Sequence, residues 1–296
     1  MAVVGAPFLD LTFEALPQLP LPGEEVVARA LHVAPGGHGM QAVACARLGL
    51  DTALVAPLAR TGLDGVVREA LEAERVRVAG DDRVAGAGVT ALLTTGDGVA
   101  MASALRRAEP SAAEVREVGA GAVLLSIGRL PLAPPEAAVY AVTGGLELAS
   151  VTAASVARTP AVRAVVATAA EARSLTERSD AEGAARALAE RAETAVVTMG
   201  AEGAIAVEGG DVVRAAAPRV AARDATGAGD LFAAAYAWAD VRGAPLPSRL
   251  AWATLYASLS VRAPTAFEGA LRLEGLLEEG AASGLEPPPG PTLSPR

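Results

Sequence analysis

The chain has 296 residues with a formal net charge of −9, and 52% of them are hydrophobic but only 3% aromatic. Such an acidic balance argues against general nucleic-acid binding, which wants a basic face, and it leaves Ala, Val and Leu to fill the core. Lysine and asparagine are absent altogether, so the chain holds neither a P-loop ending in Gly-Lys-Ser/Thr nor the strand lysine of protein kinases.

Taken in chain order, Val3-Val4 opens with a short strand. No basic region precedes it, Asp10 interrupts the apolar run, and no stretch reaches the length of a membrane span. A cytoplasmic protein without a signal peptide is therefore expected. Glu25 to Val33 reads as an extended segment, and Met40 to Leu48 as a helix with Cys45 on its apolar face. One cysteine makes no internal disulfide, and with two histidines it makes no zinc site of those residue types alone. Thr52 to Val55 predicts a strand and Gly65 to Glu74 a helix. Val89 to Thr95 and Val99 to Leu105 flank Gly96-Asp97-Gly98, whose Asp-Gly pair signals a hairpin.

Further strands are expected at Ala122 to Ser126, Ala138 to Val142, Arg163 to Ala167 and Ala195 to Thr198, with a helix at Ala181 to Arg191. This alternation predicts an α/β fold, a mostly parallel sheet flanked by helices, with ligands beyond the carboxyl ends of the strands. Residues 1–284 are expected to form one domain, and 285–296, rich in proline, a disordered tail.

The most informative stretch is Asp224-Ala225-Thr226-Gly227-Ala228-Gly229-Asp230 before the apolar helix Leu231 to Trp238. Helix N-terminal amides point outward unpaired and attract anions. The lack of bulk at Gly227, Ala228 and Gly229 lets a phosphate approach the backbone. Asp230, in the first turn, supplies a carboxylate that accepts the proton of an attacking hydroxyl. Together these are the parts of a phosphoryl-transfer site. A dinucleotide-binding reading is weaker, since the Gly-x-Gly at Gly227 lacks its third glycine and a clear first strand.

The same stretch resembles the Asp-Thr-x-Gly-Ala-Gly-Asp signature of the PfkB family, the ribokinase-like carbohydrate and nucleoside kinases, departing at Ala225. Pro22-Gly23-Glu24 and Gly36-Gly37-His38-Gly39-Met40-Gln41 resemble the family's sugar-binding segment, Gly-Gly-Lys-Gly-Ala-Asn-Gln in ribokinases, without its Asn. Val196-Val197-Thr198-Met199-Gly200-Ala201-Glu202-Gly203 is similar to the strand and turn by the nucleotide. The three matches come in the family's order and span most of the chain.

The resemblance implies a ribokinase-like fold with a small β-sheet lid, from about residues 9–34 and 84–107, which closes over the sugar and forms a homodimer surface. It implies ATP and Mg2+ as cofactors, with K+ activation put in question by Thr265 in the segment Val261 to Ala266. Asp230 is then the base, with Gly227, Ala228 and Gly229 as the anion hole. Asp10, Gly36, Gly37 and Gln41 hold the substrate, with Met40 or Gln41 filling the place of the Asn. Thr198, Gly200, Gly203 and Thr226 lie by the nucleotide. Glu171, in Thr168-Ala169-Ala170-Glu171, stands where the family carries Asn-x-x-Glu, and holds Mg2+ through water. Arg106 and Arg107 are candidates to reach inward, or else form a solvated pair. The expected activity is phosphorylation of a hydroxyl of a small sugar or sugar-like alcohol. Nucleoside and fructose-phosphate kinases, and a non-catalytic binding relative, are the alternatives.

Overall fold

In a computed structural model, residues 1–106, 108–144 and 162–290 are described. The strands are β1 (Ala2–Val4), β2 (Pro7–Glu14), β3 (Ala30–Gly37), β4 (Ala53–Val55), β5 (Arg77–Ala79), β6 (Gly88–Thr95) and β7 (Gly98–Ala104), then β8 (Ala122–Ser126), β9 (Ala138–Val142), β10 (Val162–Thr168), β11 (Ala192–Thr198), β12 (Ala204–Glu208) and β13 (Asp211–Ala215). The helices are α1 (His38–Arg47), α2 (Gly62–Ala73), α3 (Ala112–Glu117), α4 (Ala169–Thr176), α5 (Ala181–Ala189), α6 (Ala228–Val241), α7 (Leu246–Ser260), α8 (Ala266–Gly269) and α9 (Leu273–Ala282).

Nine strands form the body sheet in the order β13-β12-β11-β10-β9-β8-β1-β4-β5. From β11 to β5 every pairing is parallel, and β12 and β13 add an antiparallel edge. Both faces of this sheet are covered, which is why its strands read as unbroken apolar runs. Val3, Leu54, Leu124 and Val196 face the cluster built on α1, α6 and α7, while Val4, Val55, Val123 and Leu125 face the one built on α4 and α5. Cys45 is fully buried in the first cluster, as its helical position predicts, and burial pushes its thiol up to about 12. Trp238 on α6 meets Trp252 on α7 edge to face, with ring centroids 5.7 Å apart. A Cβ on Gly280 would lie 1.9 Å from the Trp252 ring, so α9 needs a glycine to pack there.

The second sheet has the order β3-β2-β6-β7. The expected hairpin is present, with β6 and β7 joined at Gly96-Asp97. One expectation for the lid is corrected. The extended segment does not run over Glu25 to Val33: the strand starts at Ala30 and continues to Gly37, because Pro20, Pro22 and Gly23 interrupt the chain before it. Between it and the hairpin lies β2, which pairs antiparallel with β3 and parallel with β6. Asp10 therefore follows β1 and sits within a lid strand.

Of the Pro-rich tail, the first residues are described. Trp252 Nε1 donates to the Glu286 carbonyl at 3.0 Å, and Pro288 is buried. Residues 291–296, and with them the rest of that expectation, lie outside the described residues. No described helix is long and apolar enough to cross a membrane.

Candidate active site

Two clefts meet at the start of α6. The smaller, about 260 Å³, lies under the lid sheet and is lined by Phe8, Asp10, Gly36, Gly37, Met40, Thr90, Leu92, Met101, Ser103, Asp224, Thr226, Gly227, Asp230 and Phe267, among others. The larger, about 740 Å³, opens over the carboxyl ends of β9, β10 and β11. Its lining includes His38, Gln41, Arg106, Arg129, Thr168, Glu171, Thr198, Gly227, Gly229 and Asp230. Gly227 and Asp230 belong to both, as do Phe8 and Gly37.

Local geometry explains why α6 begins where it does. Thr226 donates its backbone N–H to Asp224 Oδ1 at 2.8 Å, and Asp224 is itself buried. Gly227 follows with φ 79°, a left-handed conformation that L side chains resist. A Cβ there would also come within 2.7 Å of the Ala266 Cβ. No side chain caps the helix; Ala228 and Asp230 donate their backbone N–H groups to the carbonyls of Ala225 and Gly227 at 3.2 and 3.0 Å, while Gly227 and Gly229 line the larger cleft at the positive end of the helix. Asp230 stands half-buried in that first turn. Gln41 Nε2 donates to its Oδ1 at 2.7 Å. Burial raises its carboxyl to about 6, against the pull of that hydrogen bond.

Asp10 approaches from the lid. Burial first, and then the charge of Asp230, raise its carboxyl to about 7 against the pull of a hydrogen bond with Thr90. Thr90 is its partner in register on β6. On the other side Gly36 lets the carboxylate lie on the backbone, for a Cβ would fall 2.0 Å from Oδ2. Gly37 has φ 54° and packs on Phe8. His38 is not a loop residue but the first residue of α1. Its Nδ1 faces the Ala6 carbonyl at 3.3 Å, and burial, with Arg129 nearby, lowers it to about 4.

On the larger side Glu171 closes a capping box with Thr168, and its Oε2 also accepts from Thr143 at 2.9 Å. Its Oε1 lies beside the bare backbone of Gly144. No group of three or more His, Cys, Asp or Glu that could hold a metal occurs among the described residues. A single carboxylate with one oxygen tied and one facing a cleft suits Mg2+, which keeps most of its waters. Thr198 lines this cleft, whereas Gly200, Gly203 and Ala228 line neither. Gly203 answers a structural need: its φ is 98° and a Cβ would meet the Ala215 carbonyl at 2.0 Å. Arg106 is exposed on the rim of the larger cleft, and Arg107 lies outside the described residues.

Two contributors escaped the sequence reading. Arg129 is buried and donates through Nε and Nη2 to Glu109, at 2.6 and 2.7 Å, and through Nη1 to Ser126 Oγ at 2.7 Å. Phe267 is held by Arg47, which donates to its carbonyl at 2.5 Å and stacks 4.5 Å over its ring. Thr265 and Ala266, in the segment that the resemblance connects with K+, line the smaller cleft. A latch also joins lid to body. His32 on β3 places Nδ1 2.6 Å from Glu268 on α8 and Nε2 3.0 Å from Glu14 on β2, which is paired with Arg29 and with Arg223 of the body.

A search of curated protein sequences found no match. Solved structures share the fold over nearly the whole chain. Ribokinase of Arabidopsis thaliana, solved with ribose and ATP, aligns with a TM-score of 0.76 at 22% identity, covering 94% of this chain and 97% of that one. Phosphofructokinase-2 of Escherichia coli, solved with potassium, gives 0.75 at 18%, covering 96% and 98%. Adenosine kinase of Sinorhizobium meliloti gives 0.74 at 19%, covering 94% and 98%. The profile of the pfkB family carbohydrate kinases matches residues 2–270, and on that extent the chain belongs to this family of carbohydrate kinases.

Proposed function

We propose that this chain is an ATP-dependent kinase that phosphorylates a hydroxyl of an uncharged sugar or nucleoside. One observation carries the choice of acceptor. The smaller cleft is lined by three carboxylates, Asp10, Asp224 and Asp230, and by the hydroxyls of Thr90 and Ser103, with no Arg or His among its described lining. A phosphorylated acceptor placed there would meet like charge without a partner, so this favours a neutral polyol over a fructose phosphate. The cationic side chains, Arg106 and Arg129, belong to the larger cleft, the side suited to a nucleotide polyphosphate.

In the proposed reaction Asp230 takes the proton of the acceptor hydroxyl as its oxygen attacks the terminal phosphorus and ADP leaves. The amides at the start of α6 bear the charge that builds on the phosphoryl oxygens. Magnesium, held through water by Glu171, would shield the phosphates. Retention of a carboxylate base beside the helix start speaks against a purely binding relative. The solved relative with potassium raises the same activation here, with the segment Val261 to Ala266 as its place.

The lid carries the case for a homodimer. Beyond Leu9 and Leu11, which pack on the body core, its outer face carries Phe13, Leu31, Val33, Ala91 and Leu93, and Leu31 and Val33 are 55% and 50% exposed. A contiguous apolar sheet face of this kind calls for a second copy related by a two-fold axis. A reducing compartment such as the cytoplasm fits the lone inert cysteine. Coupled ADP detection across neutral pentoses, hexoses, nucleosides and sugar phosphates tests the whole reading. Turnover with a neutral acceptor is the expected result. Turnover confined to sugar phosphates would overturn the acceptor class, and ligand binding without turnover would favour the non-catalytic alternative.

A further inference from the structure

Helix α1 is apolar along its buried length, with Gly39, Met40, Ala42, Val43, Ala44 and Cys45 all inside. Gln41 is the exception, 3% exposed in the middle of that stretch. Its Nε2 donates to Asp230 Oδ1 at 2.7 Å, across 189 residues of sequence. Its Oε1 is buried as well and has no hydrogen-bond partner among the described residues. A buried amide with an unpaired carbonyl costs stability, and a methionine or leucine at this place would carry no such cost. The amide therefore does not complete a core network; its one bond goes to a carboxylate at the junction of the two clefts.

We infer that Gln41 is a positioning residue for Asp230: it fixes Oδ1 and favours the ionised, proton-accepting carboxylate, leaving Oδ2 on the Gly227 side where the clefts join. Asp230 Oδ2 lies on the side toward Gly227, 3.9 Å from where a Cβ there would stand. The other charged groups facing this carboxylate work against its ionisation or stand across the larger cleft. Asp10 on β2 and Asp224 before α6 are acids, Glu171, Arg106 and Arg129 line the larger cleft, and burial keeps His38 neutral. Gln41 is the one side-chain donor recorded to Asp230 among the described residues. Burial pushes Asp230 up to about 6, and the bond from Gln41 is the influence that holds it down.

This inference rests on Asp230 being the base of the proposed kinase, so its test has a readout that does not need turnover. Asp230 is followed by carbon NMR of aspartate-labelled apoprotein, with D230N identifying its signal. In Gln41→Met, which keeps length and shape, the titration midpoint of Asp230 should rise by about one unit, roughly tenfold less carboxylate at a pH below both midpoints. In Gln41→Glu, which adds a like charge, it should rise further. The acid limb of kcat/KM should move by the same amount, and the melting temperature of Gln41→Met should not fall. An unchanged or lower midpoint in the folded variant overturns the inference. If Gln41→Met does not fold, the isosteric Gln41→Glu gives the same decision. Absence of kinase activity would refute the proposed function and leave this titration to be judged separately.

Discussion

The two sheets solve the burial problem in different ways. In the body, strands such as Ala122–Ser126 are covered on both faces, and Val123, Leu124 and Leu125 are fully buried within the chain itself. In the lid, alternate residues divide the labour. Asp10, Thr12, Thr90 and Ser103 turn to the cleft, while Leu11, Phe13, Leu31 and Val33 turn away from it. The body covers both faces of its sheet, with Leu9 of β2 joining its core; the lid has a polar face that awaits a ligand and, at Leu31 and Val33, apolar side chains left exposed on the other. Stability should therefore reside in the first sheet, and recognition and assembly in the second.

The largest expected effect belongs to the chemistry that the body supplies. Asp230→Asn keeps the shape and removes the proton acceptor, so kcat should fall by about 10²–10⁴ while acceptor affinity stays within a few-fold. Steady-state kinetics with a neutral acceptor would decide it, and wild-type kcat would remove Asp230 from the role of base. Next, Leu124→Ala in the body should cost about 2–5 kcal/mol in chemical denaturation. The matching lid change, Leu31→Asp with Val33→Asp, should leave the folded monomer intact but shift sedimentation from dimer to monomer. A wild type that sediments as a monomer would show the lid's outer face to be tolerated in water.

Gly36→Ala probes the inner face. The added methyl would displace the Asp10 carboxylate, raising KM for the acceptor more than it lowers kcat. A KM equal to that of the wild type would separate Asp10 from binding.

Two pH effects are smaller. With Asp230 raised to about 6, activity should decline as pH falls through that value, since the protonated acid is no base. The latch runs in the opposite direction. Hydrogen bonds that His32 donates to Glu14, then Glu268, raise it, although its partial burial works the other way. A group raised in the folded state stabilises fully below its unfolded value of 6.5, and that contribution is lost as pH rises through the raised one. His32→Gln should then lower stability by under about 1 kcal/mol at pH 6 and by less at pH 9. Equal losses at both pH values would show that the imidazolium charge plays no part.

Much of the body was legible because its signals are local. Short apolar runs separated by helical spacing mark β8 to β11, and Gly96-Asp97-Gly98 marks the hairpin. The strand β2 was harder: Phe8, Leu9, Leu11 and Phe13 put apolar side chains on both parities, which blurs the alternation of a half-buried strand. The site was legible where a backbone constraint leaves its mark in residue type, as at Gly36, Gly37 and Gly227. It was illegible where distant segments meet. Nothing around Gln41 announces a partner 189 residues away, and nothing around His32 announces Glu268, 236 residues on. Arg129 and Phe267 likewise have no local pattern to betray them, because the fold alone brings them to the clefts.

The chain holds two tryptophans, and both lie in the body as the contacting pair Trp238 and Trp252, with no exposed surface. Its ultraviolet emission is therefore a report on the packing of α6 against α7 and carries almost no signal from the lid. Heating or denaturant will change that emission when the body opens, whereas ligand-driven movement of the lid will pass unseen. A third indole placed at Met101, on a cleft-lining lid strand and 64% exposed, would add a solvent-sensitive emitter against a constant buried background. One spectrum could then follow the two sheets separately, the blue-shifted component tracking the body and the red-shifted one the lid.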